Sequence, residues 1–310
     1  MLYIDTLQLE TEARIPQAQL QQMARNGNRG HNIRVLPEGQ NYNLYDSNYE
    51  GVFVKHTVEN QKLTLEVASC GGFLHGNSMI PIETAQAPLL VNKLERLVTE
   101  TLGGELIHSL EDARVKRVDI KYDFQVGDEV QDYLNAISKH TVAQHEKDVL
   151  GDGSTVLFKN SSRKMMFYDR HACCISRGKS AEETGMSKGV IRFEVACKST
   201  ELKRKLQVRQ AKLRDIIQPS VTTNLLRGYL DLVGLTNLEI TTEGEMLRKL
   251  QDSLNVNLSY LLLTYIKALQ ENNLNLFCRT TRNKYDGILG NLGIAPVIGV
   301  KSLPPLVANL

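Results

Sequence analysis

The stretch Val115–Phe124, which reads VKRVDIKYDF, alternates apolar and polar residues in the way that a β-strand requires. Side chains two residues apart on a strand point to the same face of its sheet. The stretch therefore has an apolar face with Val118, Ile120 and Tyr122. Its other face is charged and carries Asp119, Lys121 and Asp123. This pattern predicts a strand in a sheet with one face buried, and it places acidic side chains on the other face.

Similar short runs before and after this stretch predict further strands. They are Gly51–His56, Leu63–Ala68, Thr155–Phe158, Met165–Tyr168 and Gly189–Ala196. Helical spacing begins after Pro88 and continues to Leu102, and a second helix is predicted over Asp128–Lys139.

After about residue 200, helical periodicity replaces the strand pattern. One apolar stripe runs from Met246 to Leu269 over two helices or one long helix, and a short helix is predicted over Arg282–Leu292. We therefore predict an α+β fold. A domain over residues 1–205 has a mainly antiparallel sheet with helices, and a smaller helical domain covers residues 206–310.

The composition excludes several classes of protein. No apolar run approaches the roughly 18–20 residues that span a bilayer, and the N-terminus lacks a signal-peptide pattern, so we expect a cytosolic protein. Five cysteines, two of them adjacent, suit a reducing compartment better than a disulfide framework, and no Cys-x2-Cys pair indicates zinc. The net charge of +2 does not by itself indicate nucleic-acid binding.

The positive charge is concentrated in residues 198–214, KSTELKRKLQVRQAKLR, which contain a single acid, Glu201. A basic helix of this kind can follow the phosphates of a nucleic acid, and it can equally be a solvated face. The candidate phosphate contacts in this stretch are Lys203, Arg204 and Lys205.

Two predicted strands carry a carboxylate two residues after an arginine, in Arg117-Val118-Asp119 and Arg192-Phe193-Glu194. If these strands are neighbours, both carboxylates could bind one divalent ion, and oxygen ligands suit Mg²⁺ or Mn²⁺. The alternative, which spacing alone favours, is two ion-paired acids on a half-exposed sheet face. Because the histidines form no His-x-His motif, any metal site should consist mainly of carboxylates. Two further strand carboxylates are weaker candidate ligands, Asp123 and Glu66.

A tyrosine ends a basic strand in Ser154–Arg170, STVLFKNSSRKMMFYDR. A phenol has an ordinary pKa near 10, so Tyr168 would need a nearby metal, cation or base to act as a nucleophile. The flanking cations that could serve it are Arg163, Lys164 and Arg170. On the residue alone, one tyrosine among 11, an ordinary half-buried strand tyrosine is the favoured interpretation.

Five segments in this order resemble the replication initiators of filamentous phages, the gene II/X family. They are LEVASCGGFLHGN (Leu65–Asn77), RVDIKYDF (Arg117–Phe124), the tyrosine segment Ser154–Arg170, GVIRFEVACKSTELK (Gly189–Lys203) and FCRTTRNKYDGILGNLGI (Phe277–Ile294). Each is weak singly, and the five in register are moderately specific. The resemblance implies a relaxase-like or Rep-like sheet domain.

The resemblance also implies an activity. Such enzymes nick the plus strand of a double-stranded origin, leave a 3′-hydroxyl that primes synthesis, and later cut and circularise the displaced strand. By this resemblance Tyr168 is the nucleophile that forms a 5′-phosphotyrosine, and Asp119 and Glu194 lie near a Mg²⁺ or Mn²⁺ ion. The expected phosphate contacts are Arg163, Lys164, Arg170 and Arg192. Asp169 either helps to bind metal or caps a turn.

The expected partners are double-stranded origin DNA, the displaced single strand, and a host helicase and polymerase in the cytoplasm of a bacterium. No membrane is expected, and the oligomeric state is left open. Two alternatives to the nicking enzyme remain: an origin-binding regulator without catalysis, and a transposase or conjugative relaxase of related chemistry.

The C-terminal segment fits a helix-turn-helix on its own residues. Thr280 or Thr281 can cap a helix whose N-terminal end carries three cations, Arg279, Arg282 and Lys284. Residues at that end of a recognition helix contact bases or phosphates in the major groove. The alternative is an amphipathic helix that closes the helical bundle, and the two interpretations are evenly balanced.

Overall fold

The structure is a computed structural model of the 310-residue chain, and it describes residues 1–26, 33–236, 239–271 and 273–310. Within these residues the strands form an 11-stranded, mainly antiparallel sheet. The part of the chain beyond α7 contains helices joined by loops and isolated bridges. The predicted α+β class is confirmed.

The strands are β1 (Ile4–Arg14), β2 (Arg34–Glu38), β3 (Asn41–Tyr49), β4 (Val52–Thr57), β5 (Lys62–Val67), β6 (Glu105–Leu106), β7 (Arg114–Gln125), β8 (Glu146–Leu150), β9 (Thr155–Lys159), β10 (Arg163–Asp169) and β11 (Val190–Lys198). The helices are α1 (Gln17–Asn26), α2 (Cys70–His75), α3 (Ala87–Arg96), α4 (Val130–Lys139), α5 (Arg170–Ser176), α6 (Ala181–Met186), α7 (Ser199–Leu206), α8 (Leu213–Ile216), α9 (Pro219–Val233), α10 (Glu243–Ser253), α11 (Val256–Gln270) and α12 (Arg279–Asn291).

The chain divides into two compact units. Unit 1 comprises Met1–Lys121 and Val195–Leu226, and unit 2 comprises Tyr122–Glu194 and Arg227–Leu310. Each unit therefore contains two separate stretches of chain. The functional division at residue 205 stays a prediction.

Unit 1 contains the strand order β2-β3-β4-β5-β1-β7, of which β7 belongs to it as far as Lys121, and β6 is paired to β1. The long strand β1 pairs with β5 and β7 in antiparallel register, so that Leu7 lies opposite Val67 on one side and Val118 on the other. These three side chains are fully buried. The predicted strand is confirmed as β7, but the prediction of a single buried face is wrong, because Asp119 is 1% and Lys121 is 9% exposed.

Unit 2 contains the strand order β11-β10-β9-β8, of which β11 belongs to it as far as Glu194. Gly189 precedes β11 with φ +68°, a conformation that residues with a Cβ rarely adopt. A Cβ there would also lie 2.8 Å from the Cα of Gly127. The carbonyl of Gly189 accepts hydrogen bonds from the amides of Val126 and Gly127, at 2.8 and 3.1 Å. The glycine thus fixes where β11 begins.

The helices α10, α11 and α12 of unit 2 share one apolar core. Its side chains include Met246, Leu250, Leu262, Ile266, Tyr285 and Leu289. The predicted stripe from Met246 to Leu269 therefore covers two helices, with Leu254 and Asn255 between them. None of the described helices has the length and apolarity needed to cross a bilayer.

Two helix predictions need correction. The basic stretch 198–214 is not one helix, because α7 ends at Leu206 and Gln207 adopts a left-handed conformation, φ 56°. Helix α12 begins at Arg279 with Cys278 as its N-cap, so neither Thr280 nor Thr281 caps it. A 3-10 helix, Leu274–Leu276, lies between α11 and α12. The helix-turn-helix element stays a prediction.

His140 follows α4 and makes the stability of unit 2 depend on pH. Its Nε2 lies 2.7 Å from the carbonyl oxygen of Val233, and burial lowers its pKa to about 4. Because the folded-state pKa is below the unfolded value, its contribution is complete above about pH 6.5 and is lost as the pH falls to about 4. We expect this loss to reach about 3 kcal/mol, and His140→Gln to flatten that part of a stability-against-pH curve measured by urea unfolding. An unchanged curve in the variant would contradict this assignment.

Candidate active site

Tyr168 and Glu194 form a hydrogen-bonded pair on neighbouring strands of unit 2. The phenol of Tyr168, on β10, donates to Oε2 of Glu194, on β11, at 2.9 Å. Each residue is only 9% exposed. A hydroxyl within hydrogen-bond reach of a carboxylate has the geometry of a nucleophile and its base. The two residues come from separate predicted strands, and the structure brings them together.

The sheet register holds this pair in place. Tyr168 lies opposite Thr155 of β9 in antiparallel register. The preceding residues in the two strands, Phe167 and Phe193, stack with ring centroids 4.6 Å apart. Because neighbouring side chains on a strand point to opposite faces, this aromatic contact and the Tyr168–Glu194 contact lie on opposite faces of the sheet. The packing of Phe167 against Phe193 on one face of the sheet therefore helps to hold the two strands that carry Tyr168 and Glu194 on the other face.

Asp169 ends the strand that carries Tyr168 and begins α5. Its side chain accepts a hydrogen bond from the amide of Ala172 at 3.0 Å and is the N-cap of that helix. Its own amide donates to the carbonyl of Ser154 at 2.9 Å. Of the two roles left open for Asp169, the structure shows a helix cap. The change from strand to helix directly after Tyr168 is thereby fixed.

Arg170, expected to contact phosphate, is buried. Its guanidinium donates to Oε1 of Glu183 at 2.8 Å, and the side chains are 3% and 4% exposed. An arginine in such a pair is not presented to DNA. The structure gives it a different task, which is to join α5 to α6 next to the strand that carries Tyr168.

We expect Glu183→Gln to destabilise the protein by about 3–5 kcal/mol, because it removes the carboxylate charge that faces the buried guanidinium of Arg170. Chemical denaturation measures the effect. The exposed pair Arg96–Glu100 provides the control: Glu100→Gln should leave the unfolding free energy almost unchanged. Equal effects of the two substitutions would contradict the assignment.

Arg192, also expected to contact phosphate, is likewise buried. It is 1% exposed, and its guanidinium donates to both carboxylate oxygens of Asp123, at 2.6 and 2.8 Å. Both residues belong to unit 2. Asp123 was a candidate metal ligand, and in the structure both of its oxygens are bound to this arginine.

Asp119 lies in unit 1 and forms an ion pair. Arg117 donates to both of its carboxylate oxygens, at 2.7 and 2.5 Å. Burial raises the pKa of Asp119, although the hydrogen bond from Arg117 opposes this effect. A second buried pair nearby joins Lys121 to Asp5 at 2.8 Å. For Asp119, the structure therefore matches the ion-pair interpretation of the Arg-x-Asp pattern. Asp5 and Lys121 were missed as partners, because no short-range pattern connects β1 with β7.

The candidate metal ligands do not form a metal-binding group as they stand. Among the described residues, no cluster of three or more His, Cys, Asp or Glu side chains is arranged to hold an ion. Asp119 and Asp123 are engaged by arginines, and Glu66 accepts a hydrogen bond from Gln8 at 2.9 Å. Glu194 accepts the hydrogen bond from the phenol of Tyr168. A divalent ion at these carboxylates would therefore compete with the partners that they have in this structure.

The remaining predicted cations lie at several places. On β10, Lys164 is exposed, while Arg163 lies over the ring of Tyr229 at 5.7 Å and donates to Nε2 of His145 at 3.1 Å. Helix α7 carries Lys203, Arg204 and Lys205, and Arg204 pairs with Glu201 at 2.7 Å. Arg279, Arg282 and Lys284 all lie in the N-terminal half of α12.

These features define an α+β protein with a mainly antiparallel sheet, a tyrosine–carboxylate pair on adjacent strands, and basic side chains on its helices. The family model that describes the N-terminal region of a phage replication-associated protein matches residues 6–214, about two thirds of the chain. The chain therefore belongs to this family of phage replication-associated proteins. The match includes Asp119, Tyr168 and Glu194, and it ends before α9. Searches of curated proteins and of solved structures gave no significant match.

Proposed function

We propose that this protein nicks and rejoins DNA at a rolling-circle replication origin, as a gene II/X-type initiator. Tyr168 is the nucleophile and Glu194 is its base. The observation that carries the proposal is the 2.9 Å hydrogen bond from the phenol of Tyr168 to the carboxylate of Glu194. Membership in a phage replication family supplies the biological setting.

The geometry supports a direct phosphoryl transfer. Glu194 takes the proton of Tyr168 as the phenol oxygen attacks the scissile phosphorus. The new O–P bond makes a 5′-phosphotyrosine, and the bond from phosphorus to the 3′-oxygen breaks. The departing 3′-oxygen takes up a proton and becomes a 3′-hydroxyl, which can prime synthesis.

The covalent intermediate keeps the energy of the phosphodiester bond, so rejoining needs no nucleotide cofactor. In the reverse step, a 3′-hydroxyl attacks the phosphorus and loses its proton to solvent, the bond from phosphorus to the phenol oxygen breaks, and Glu194 returns its proton to that oxygen. The same pair of residues therefore serves both cutting and circularisation of the displaced strand.

The proposed partners are double-stranded origin DNA and the displaced single strand, in the cytoplasm of a bacterial host with a host helicase and polymerase. The cations that support DNA binding are the exposed Lys164 on β10, the basic side chains of α7, and Arg279 and Arg282 on α12. Arg170 and Arg192 are instead assigned to holding the fold around Tyr168, because both are buried in ion pairs.

Dependence on Mg²⁺ or Mn²⁺ is proposed from the chemistry, since a divalent ion would stabilise charge on the scissile phosphate. We expect EDTA to abolish nicking of supercoiled origin DNA, and added Mg²⁺ or Mn²⁺ to restore it, while non-covalent binding of the DNA persists. An agarose gel of nicked and supercoiled plasmid measures the effect. Full nicking in EDTA would contradict the metal dependence and would show that the arginines and lysines of the protein suffice to stabilise charge on the scissile phosphate.

The alternative is a DNA-binding regulator without catalysis. The observation that favours it is the basic helix α12, which lies outside the residues that the family model matches and could bind DNA without the tyrosine site. A denaturing gel of the protein incubated with labelled origin DNA separates the two functions. A labelled band at the mass of the protein supports the nicking enzyme. A shift seen only under native conditions supports the regulator. A transposase or conjugative relaxase would form the same adduct on a different DNA sequence.

A further inference from the structure

A second candidate site lies within unit 2, away from the tyrosine. A cleft of about 500 Å³ is bordered by the end of α4 and the loop after it on one side and by the N-terminal half of α12 on the other. The side chains that matter to its chemistry are Lys139, Gln144, Tyr265, Arg279, Arg282 and Asp286. Clefts of roughly 300–1,000 Å³ are the usual size for small-ligand sites.

The cleft has an excess of positive charge. Three cationic side chains, Lys139, Arg279 and Arg282, line it with a single carboxylate, Asp286, which accepts a hydrogen bond from Tyr265 at 2.7 Å. Within the described residues none of these three cations forms an ion pair, and the ammonium of Lys139 lies 3.5 Å from the carbonyl of Ile298. Among the described residues, the three positive charges of the cleft therefore exceed its one carboxylate, and none of them is held in an ion pair.

Arg282 carries a specific unmet requirement. Its Nε is buried and has no hydrogen-bond partner among the described residues. A buried donor without an acceptor is costly, and such groups are rare in folded proteins. An acceptor oxygen supplied by a ligand would remove this cost.

The larger cleft of unit 1, about 620 Å³, shows the contrast. Its lysines are neutralised by carboxylates of the same cleft: Lys62 by Glu10 at 2.7 Å, and Lys212 by Asp112 at 2.7 Å. Lysines that are already paired with carboxylates give this cleft no net attraction for an anion. The cleft beside α12 differs because its cations are left unbalanced.

We propose that this cleft binds a phosphate group of a nucleic-acid strand or nucleotide. A guanidinium presents its N–H donors in a planar fork that matches phosphate oxygens. The Nε–H of Arg282 has no acceptor among the described residues and is free to donate to such an oxygen. Gln144 adds an amide that can donate to a phosphate oxygen or a base. The wall formed by Tyr265, Leu269 and Pro296 gives an attached sugar or base an apolar surface.

The three cations of α12 therefore differ in their proposed roles. Arg279 and Arg282 line the cleft, whereas Lys284 is exposed and does not line it. It also adds Lys139, which no sequence pattern indicated. This inference rests on the proposal that the protein handles DNA, but not on the chemistry of Tyr168.

The test is a binding titration of the full chain in a Tyr168→Phe background, which keeps cleavage out of the measurement. Fluorescence anisotropy of a labelled single-stranded oligonucleotide without the origin sequence gives the Kd. We expect Arg282→Gln to weaken binding about tenfold, and Lys139→Gln, from the opposite wall, to weaken it several-fold. Lys284→Gln removes the same charge from the same helix and should change the Kd by less than about twofold.

A second arm identifies the source of the phosphate. If a deoxynucleoside 5′-monophosphate displaces the oligonucleotide from the parent protein, and less well from Arg282→Gln, the site accepts free nucleotides. If only a longer strand competes, the site belongs to the DNA path. In either case Arg282→Lys, which keeps the charge but has no Nε–H donor in that position, should bind between the parent and the Gln variant.

Equal weakening by Lys284→Gln and Arg282→Gln would overturn the proposal, because the cations would then act only through general charge. An unchanged Kd in both Arg282→Gln and Lys139→Gln would overturn it as well. Thermal unfolding of each variant excludes misfolding as the cause. Failure here would leave the covalent adduct at Tyr168 unaffected, so the two proposals can fail separately.

Discussion

Tyr168→Phe is expected to abolish both nicking and the covalent protein–DNA adduct while leaving origin binding intact. The substitution removes the one oxygen that would bond to phosphorus, and it leaves the ring, which is buried between strands, in place. Removing a nucleophile lowers the rate by on the order of 10³-fold or more. Nicking of supercoiled origin plasmid measures the rate, and an electrophoretic shift at low salt measures binding.

The control is a tyrosine that lies outside the proposed site. Tyr260 is half-exposed on α11, beyond the residues that the family model covers. Tyr260→Phe should nick at the parent rate. A Tyr168→Phe protein that still forms the adduct would remove Tyr168 from the mechanism and leave another tyrosine to be found.

Glu194→Gln is expected to lower the nicking rate by about 10²–10⁴-fold with little change in DNA affinity. The glutamine has nearly the same shape and still accepts the hydrogen bond from Tyr168, but it cannot take up the proton. Single-turnover nicking at saturating protein separates this rate from binding. The size of the effect follows from the direct contact between the carboxylate of Glu194 and the phenol.

Glu194→Asp is the matched variant. It keeps the carboxylate but moves it back by one methylene, so we expect a rate between those of the parent and Glu194→Gln. A parent-like rate in Glu194→Gln would contradict the role of Glu194 as base. An equal loss in the Asp and Gln variants, together with a lower unfolding temperature, would instead indicate a structural role.

Local sequence patterns predicted much of the sheet. The alternation in Val115–Phe124 and Gly189–Ala196 corresponds to β7 and β11, whose inner side chains are buried. The long strand β1 was missed. Its stretch IDTLQLETEAR alternates apolar and polar residues from Leu7 to Ala13, which is a strand pattern, but its glutamates and threonines leave it without a continuous apolar run. It forms a strand because β5 and β7 pair with both of its edges, and that pairing is not visible locally.

The sequence indicated which residues belong to the candidate site, but not which of them contact one another. The Arg-x-Asp and Arg-x-Glu patterns look alike, yet Asp119 pairs with the arginine of its own strand and Arg192 pairs with Asp123 of another strand. A glutamate 26 residues away accepts the hydrogen bond from the phenol of Tyr168. Which charge pairs with which depends on strand neighbours that lie far apart in the chain. The burial of Arg170 and Arg192 could not be predicted for the same reason.

Tyr168 lies between tryptic cleavage sites, after Lys164 and after Arg170, so it is expected in the short peptide Met165–Arg170. The most direct measurement is mass spectrometry of the covalent adduct formed with origin DNA, digested with nuclease and trypsin. We expect a nucleotide attached through phosphate to Tyr168 of that peptide. A nucleotide found on any other tyrosine, or no adduct on origin DNA that the protein binds, would contradict the central claim.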